Sequence, residues 1–148
     1  MTDTVSPAQQ AYPALCADLG HFYARQMQLL DSGEAEAWAA TFTADGLFAP
    51  PSLPEPVRGR AALAAGVRSA HAALVAGGEV RRHVLSTAAV EPPAPDGSVR
   101  VRSYVQVVAT RRGEDPRLLL MCVCEDLLVV EDGQWRVRER YVTRDDRP

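Results

Sequence analysis

Residues 118–143 read LLLMCVCEDLLVVEDGQWRVRERYVT, and their reading decides the fold. Leu118 to Glu131 is a long apolar run of strand character. Asp132-Gly133 is a hairpin signal, because both residues tolerate the left-handed backbone that a two-residue turn demands. Gln134 to Thr143 then sets Trp135, Val137, Glu139 and Tyr141 against Arg136, Arg138 and Arg140, the period of two of a strand. Working backwards, the turn Gly113-Glu114-Asp115-Pro116 separates this hairpin from a strand at Ser98 to Arg111. Pro92, Pro93, Pro95 and Asp96-Gly97 separate that strand from another at Glu79 to Glu91. The second half of the chain is therefore four long antiparallel strands.

The first half has the helical period. Tyr12, Leu15, Cys16, Leu19, Phe22, Tyr23, Met27 and Leu30 recur at i, i+3, i+4 spacing and predict a helix over residues 8–31, stopped by Asp31-Ser32-Gly33. A short second helix is expected from Glu34 to Phe42, with Trp38 and Phe42 on one face. A turn at Thr43-Ala44-Asp45-Gly46 and a short strand at Leu47 to Ala49 follow, the strand cut by Pro50, Pro51, Pro54 and Pro56. A third helix runs from Arg60 to about Leu74 and ends at Gly77-Gly78. Helices gathered on one face of an antiparallel sheet make an α+β domain. A sheet curled over the long helix leaves a cone-shaped cavity, a natural place for a small molecule.

Composition narrows the function. The 148 residues make one domain, and the ends at residues 1–8 and 144–148 are expected to be flexible. No apolar stretch is long enough to span a membrane, and the N-terminal residues lack the pattern of a secretion signal, so a cytoplasmic location is expected. The net charge of −3 with no basic stripe argues against nucleic acid as a partner. Lys, Asn and Ile are absent and all 16 basic residues are Arg, which points to a gene of very high G+C content and a bacterial source rich in specialised metabolism. Without Lys, Schiff-base catalysis and Lys-dependent phosphate loops are excluded. Cys16 stands alone, and Cys122 and Cys124 flank Val123 with no second ligand pair nearby, so small buried thiols are expected rather than a metal site. No cofactor is expected. The apolar residues on both faces of the last strands predict a homodimer formed through the outer face of the sheet.

The element order carries specific words. They are Tyr23, Leu30-Asp31-Ser32-Gly33, Trp38, Phe42-Thr43-Ala44-Asp45-Gly46, Val57-Arg58-Gly59-Arg60, Arg82-His83, Arg102-Ser103-Tyr104, Asp126, Glu131-Asp132-Gly133-Gln134-Trp135-Arg136 and Arg140. In this order, over residues 10–143, the chain resembles the SnoaL-like branch of the nuclear transport factor 2-like superfamily. That superfamily holds polyketide cyclases, scytalone dehydratase, ketosteroid isomerase, epoxide hydrolases, oxygenase small subunits and non-catalytic binding modules. The resemblance implies a cavity that takes an apolar, often aromatic, molecule.

Four residues are candidates for proton chemistry. Asp31 ends the long helix, where the helix dipole disfavours a carboxylate and no basic residue follows closely. It is either a turn former or a working group, and scytalone dehydratase-like proteins hold a carboxylate here beside a catalytic His. His83 follows Arg81-Arg82 in a strand, and an imidazole moves protons near neutral pH. It is either a plain strand residue or, by resemblance to the dehydratases, a cavity residue. Glu125 and Asp126 are adjacent in an apolar strand, so one of them faces the buried side. Asp126 is either ion-paired with Arg138 or Arg140 or a general acid/base, and aldol-condensing SnoaL-like cyclases carry their catalytic Asp at a similar distance before an Asp-Gly hairpin. Tyr104 is the remaining candidate, with Tyr23, Trp38, Arg102 and Gln106 as candidate substrate-binding residues.

Other members of the superfamily fit less well. Where ketosteroid isomerases carry a base Asp, this chain has Ala49-Pro50-Pro51. The epoxide hydrolases use an Asn, which this chain lacks. The second His of scytalone dehydratase has no counterpart, since Tyr104 and Val105 stand there. The expected activity is cofactor-free cyclisation, dehydration or isomerisation of an oxygenated apolar intermediate of polyketide type. The alternatives are a binding or assembly module with the same cavity and the small subunit of a ring-hydroxylating oxygenase.

Overall fold

The structure is a computed structural model and describes residues 7–148. Residues 1–6, most of the expected flexible N-terminal stretch, lie outside the described residues. The chain forms helix α1 (Pro7–Asp31), helix α2 (Ala35–Ala39), strands β1 (Phe42–Ala49) and β2 (Val57–Arg58), helix α3 (Arg60–Ala76), and strands β3 (Glu79–Val90), β4 (Val99–Arg111), β5 (Arg117–Glu131) and β6 (Gln134–Arg144). The six strands make one curled, unclosed sheet in the order β2-β1-β6-β5-β4-β3. All neighbours are antiparallel except β1 and β6. Asp132 and Gly133 both have positive φ (52° and 73°), so the hairpin between β5 and β6 turns as the Asp-Gly pair predicts.

The alternation in β4 defines the two faces of the sheet. Val99, Val101, Ser103, Val105 and Val107 are buried on the concave face, while Arg100, Arg102 and Tyr104 point outward. Leu19, Tyr23, Trp38, Phe42, Leu63, Val99, Leu128 and Val137 join α1, α2 and α3 to that concave face in one core. Full burial of such side chains contributes about 1.5–3 kcal/mol each before ordering entropy is charged against it. A smaller cluster of Val105, Val107, Cys122 and Cys124 continues the concave face.

Three local expectations need correction. The second helix stops at Ala39 because the Thr41 carbonyl accepts the N–H of Val137 (2.9 Å), which draws Phe42 into the sheet. Residues 43–46 form a register irregularity inside β1 rather than a turn before it. Gly46 is required there, since a Cβ would come within 2.8 Å of the Phe42 Cβ. At the other end, Arg144 continues β6 and the Asp145 N–H donates to the Met121 carbonyl (3.0 Å), so the C-terminal residues are tied to β5.

The turn after α1 places the first candidate residue. Gly33 has φ +71°, and its missing Cβ leaves room for the His71 ring of α3, which a side chain at this position would strike. α1 therefore ends beside α3, with Asp31 facing the start of β3.

Candidate active site

β3 is an edge strand, and α1 lies along it. Between them is a cleft of about 610 Å³. Its walls are Leu19, Gly20, Ala24 and Met27 from α1 and the consecutive residues His83 to Val90 from β3. β3 is bulged between Ser86 and Ala89, and Thr87 there has a positive φ of 51°, an unusual conformation for a β-branched residue. The two ends of the cleft are pinned. At one end the Tyr12 hydroxyl donates to the Val90 carbonyl. At the other, Asp31 meets His83.

The Asp31–His83 contact has two parts. His83 Nδ1 lies 2.7 Å from Asp31 Oδ1. The main-chain N–H of His83 also donates to the same carboxylate, at 3.3 Å to Oδ1 and 3.2 Å to Oδ2. These two donors offset the helix dipole that opposes a carboxylate at this position. The Asp31 side chain is 7% exposed and that of His83 is 26% exposed, so the pair is sheltered while the imidazole stays reachable. A carboxylate on Nδ1 selects the tautomer with the proton on Nδ1 and leaves Nε2 as an acceptor. The arrangement is an imidazole held in one orientation on a cleft wall.

Asp126 sits elsewhere. It is 4% exposed on the concave face of β5 and does not line the cleft. Arg140 donates to it through Nε (2.9 Å to Oδ1) and Nη2 (2.8 Å to Oδ2), and the Tyr23 hydroxyl donates to Oδ2 at 2.8 Å. Both oxygens are occupied, so the reading as a cleft acid/base is corrected in favour of the ion pair. Arg140 Nη2 also donates to Gln26 Oε1 (2.7 Å), and Gln26 Nε2 donates to Thr41 Oγ1 (2.8 Å). Burial works to lower the Arg140 pKa, but the Asp126 carboxylate overrides it and the net shift is upward. Burial and the Asp126 charge together hold the Tyr23 phenol well above its ordinary range. Tyr23 lines the cleft while its proton is committed inward.

The remaining candidates divide by face. Tyr104, Arg102 and Gln106 lie on the outer face of β4 and away from the cleft, because each is one residue out of phase with the buried valines. Arg102 pairs there with Glu125 (3.5 Å) and covers the Tyr104 ring at 5.6 Å. Trp38 is 1% exposed and packs on Phe42 and Phe48, with ring centroids 4.9 and 5.6 Å away, so it is a core residue and not a cleft residue. Gln26 was not anticipated. Its signal was a polar residue at a core position of the helical period that includes Leu19, Phe22 and Tyr23. Among the described residues, no three His, Cys, Asp or Glu side chains gather as a metal site would need, and no helix is long and apolar enough to cross a membrane.

A curled sheet with a long helix over its concave face and a His–carboxylate pair in the resulting cleft defines a cavity-bearing α+β protein of the nuclear transport factor 2-like kind. Residues 16–141 match the family model described as a SnoaL-like domain, and the chain belongs to that family. ActVI-ORFA from Streptomyces coelicolor is similar at 33% identity, covering 90% of this chain and 96% of that one, with a TM-score of 0.81. Aln2 from another Streptomyces isolate is similar at 33% identity over 90% and 93% of the two chains, with a TM-score of 0.82. A protein from Catenulispora acidiphila, solved in complex with S-DNPA, shares 31% identity over 90% and 96%, with a TM-score of 0.80. A search of curated proteins gives no match.

Proposed function

We infer that this protein is a cofactor-free acid/base enzyme acting on an apolar, oxygenated intermediate of a bacterial aromatic polyketide pathway. The observation that carries the reading is the 2.7 Å contact of His83 Nδ1 with Asp31 inside a cleft whose other described lining residues are uncharged. His83 Nε2 takes a proton from a carbon next to a carbonyl or from a hydroxyl, Asp31 stabilises the imidazolium that forms, and the same proton returns to the product or to a leaving hydroxyl. Cyclisation, dehydration and isomerisation all follow from that step. In the low-polarity cleft such a pair acts more strongly than in water. The similarity to a protein solved in complex with S-DNPA supports a bound small molecule.

A second reading is a binding module. It is favoured by one observation: among the described cleft residues, Asp31 and His83 are the only charged or readily charged pair. The test is turnover of aromatic polyketide keto-alcohols by the purified chain, with products followed by mass spectrometry and S-DNPA used as a binding probe. Ring closure or loss of water that depends on His83 supports the enzyme. Saturable S-DNPA binding, with every product also formed at full rate by His83→Ala, leaves the module.

A further inference from the structure

The cleft wall on the β3 side is a strand edge, and its main chain has a direction. Arg112 N–H donates to the Gly78 carbonyl (3.0 Å), which puts Gly78 in the ladder with β4. In an antiparallel pair the residues alternate between facing the partner strand and facing away. The register is unbroken from Glu79↔Arg111 to Ser86↔Tyr104, so Val80, Arg82, Val84 and Ser86 face β4, while Arg81, His83 and Leu85 face the free edge. The His83 N–H donating to Asp31 on α1 is an independent check of that parity. Leu85 is thus the next residue whose N–H and C=O point off the sheet, and it lines the cleft. Beyond it the bulge after Ser86 ends the regular ladder. Among the described residues no turn, cap or side-chain hydrogen bond uses the Leu85 N–H.

The geometry points to the main-chain N–H of Leu85 as the donor that holds the substrate's carbonyl oxygen while His83 moves the proton. This rests on the acid/base reading above and adds the ligand's anchoring group to it. Leu85 and His83 are about 7 Å apart along the strand. A ligand whose carbonyl oxygen accepts that N–H at about 2.9 Å lies in the cleft that His83 also lines. As His83 Nε2 takes the proton from that carbon, the C–H electron pair forms the new C=C bond and the carbonyl pair moves onto oxygen. The enolate oxygen then rests on the Leu85 N–H, and reprotonation of the carbon returns the electrons. A fixed hydrogen-bond donor aimed at developing charge is worth about 10²–10³ in rate where one has been removed in other enzymes. The substrate class is therefore a ketone with an acidic neighbouring C–H, presented edge-on to β3.

The probe is 1-tetralone, an apolar aromatic ketone, with the full-length chain. In 1H–15N spectra its addition moves the Leu85 amide downfield, and the exchange of that amide with D2O, fast in the free protein beside ladder-bound Val84 and Ser86, slows about tenfold or more. Deuterium uptake next to the tetralone carbonyl is catalysed, falls about 10²-fold in Leu85→Pro, and falls by less than about tenfold in Leu85→Ala, which keeps the N–H. Proline is tolerated at an edge position whose N–H lies outside the ladder. The wild-type spectra decide the matter even if that variant fails to fold. Cleft and His83 signals that move while the Leu85 amide stays still overturn the inference, as does a Leu85 amide already protected in the free protein. No movement of any cleft amide at millimolar tetralone also overturns it. Uptake that depends on His83 but not on Leu85 removes this inference alone, whereas uptake indifferent to His83 removes the acid/base reading.

Discussion

Asp31 holds His83 twice, through the ring Nδ1 at 2.7 Å and through the main-chain N–H at 3.2 and 3.3 Å. One carboxylate therefore sets both the rotation of the imidazole and the position of the strand that carries it. His83→Ala should lower turnover about 10²-fold or more, the usual worth of a positioned acid/base. Asp31→Asn should lose less, since the amide oxygen still accepts from Nδ1–H. Steady-state kinetics of the two variants on one keto-alcohol substrate checks the order, and full activity in His83→Ala would refute the mechanism.

The buried Asp126–Arg140 pair should be a stability element. Arg140→Ala strands a carboxylate that is 4% exposed, and breaking such a pair costs about 3–5 kcal/mol. Urea unfolding of the variant should show that loss. An Asp126→Leu, Arg140→Met double variant should recover most of it, because no charge is left buried. A single variant as stable as the parent would mean that the pair is solvated in solution.

Alkaline pH should destabilise the fold through Cys124. Burial pushes its thiol up to about 12 from an ordinary 9.0. The folded chain thus holds a proton that the unfolded chain releases more readily. The stabilisation is complete below about pH 9 and is lost as pH rises toward about 12. Tyr23, also raised by burial first and by Asp126 second, acts in the same direction at higher pH. Unfolding free energy measured between pH 8 and 11 should fall less steeply in Cys124→Ala, and iodoacetamide at pH 8 should leave Cys124 unmodified in the native protein.

The outer face of the sheet should join two copies. Tyr104, Val123 and Met121 lie on neighbouring strands there, with Val84 and Tyr141 beside them, and Val84, Tyr104 and Tyr141 are 44%, 37% and 46% exposed. These exposed apolar residues, with the Arg102–Glu125 pair among them, suit a self-complementary interface. Light scattering at tens of micromolar should give the mass of a dimer, and Tyr104→Glu should shift it toward the monomer with turnover per chain unchanged. A monomeric parent protein would refute the interface.

The four long strands were legible in residues 79–143 because a period of two and turn residues such as Asp132-Gly133 are local properties of the chain. The long helix was legible for the same reason, with a period near 3.6. The Asp31–His83 pair was within reach of the sequence only as two separate candidates, one out of place at a helix end and one after two arginines. Their meeting depends on Gly33 letting α1 turn against His71 and on β3 being the sheet edge, which are relations between elements distant in the chain. The face of each strand residue also escaped local reading. Tyr104 and Ser103 are equally plausible neighbours in sequence, yet only one can face the core, and the choice belongs to the register that pairs Tyr104 with Ser86 and Val123. Asp126 had two readings until Arg140, 14 residues away and directly across the hairpin, took both of its oxygens. Periodicity and turn chemistry determine elements from within a short window. Which side chains share a cleft is set by packing, where burying the apolar faces of α1 and the sheet together outweighs any local preference.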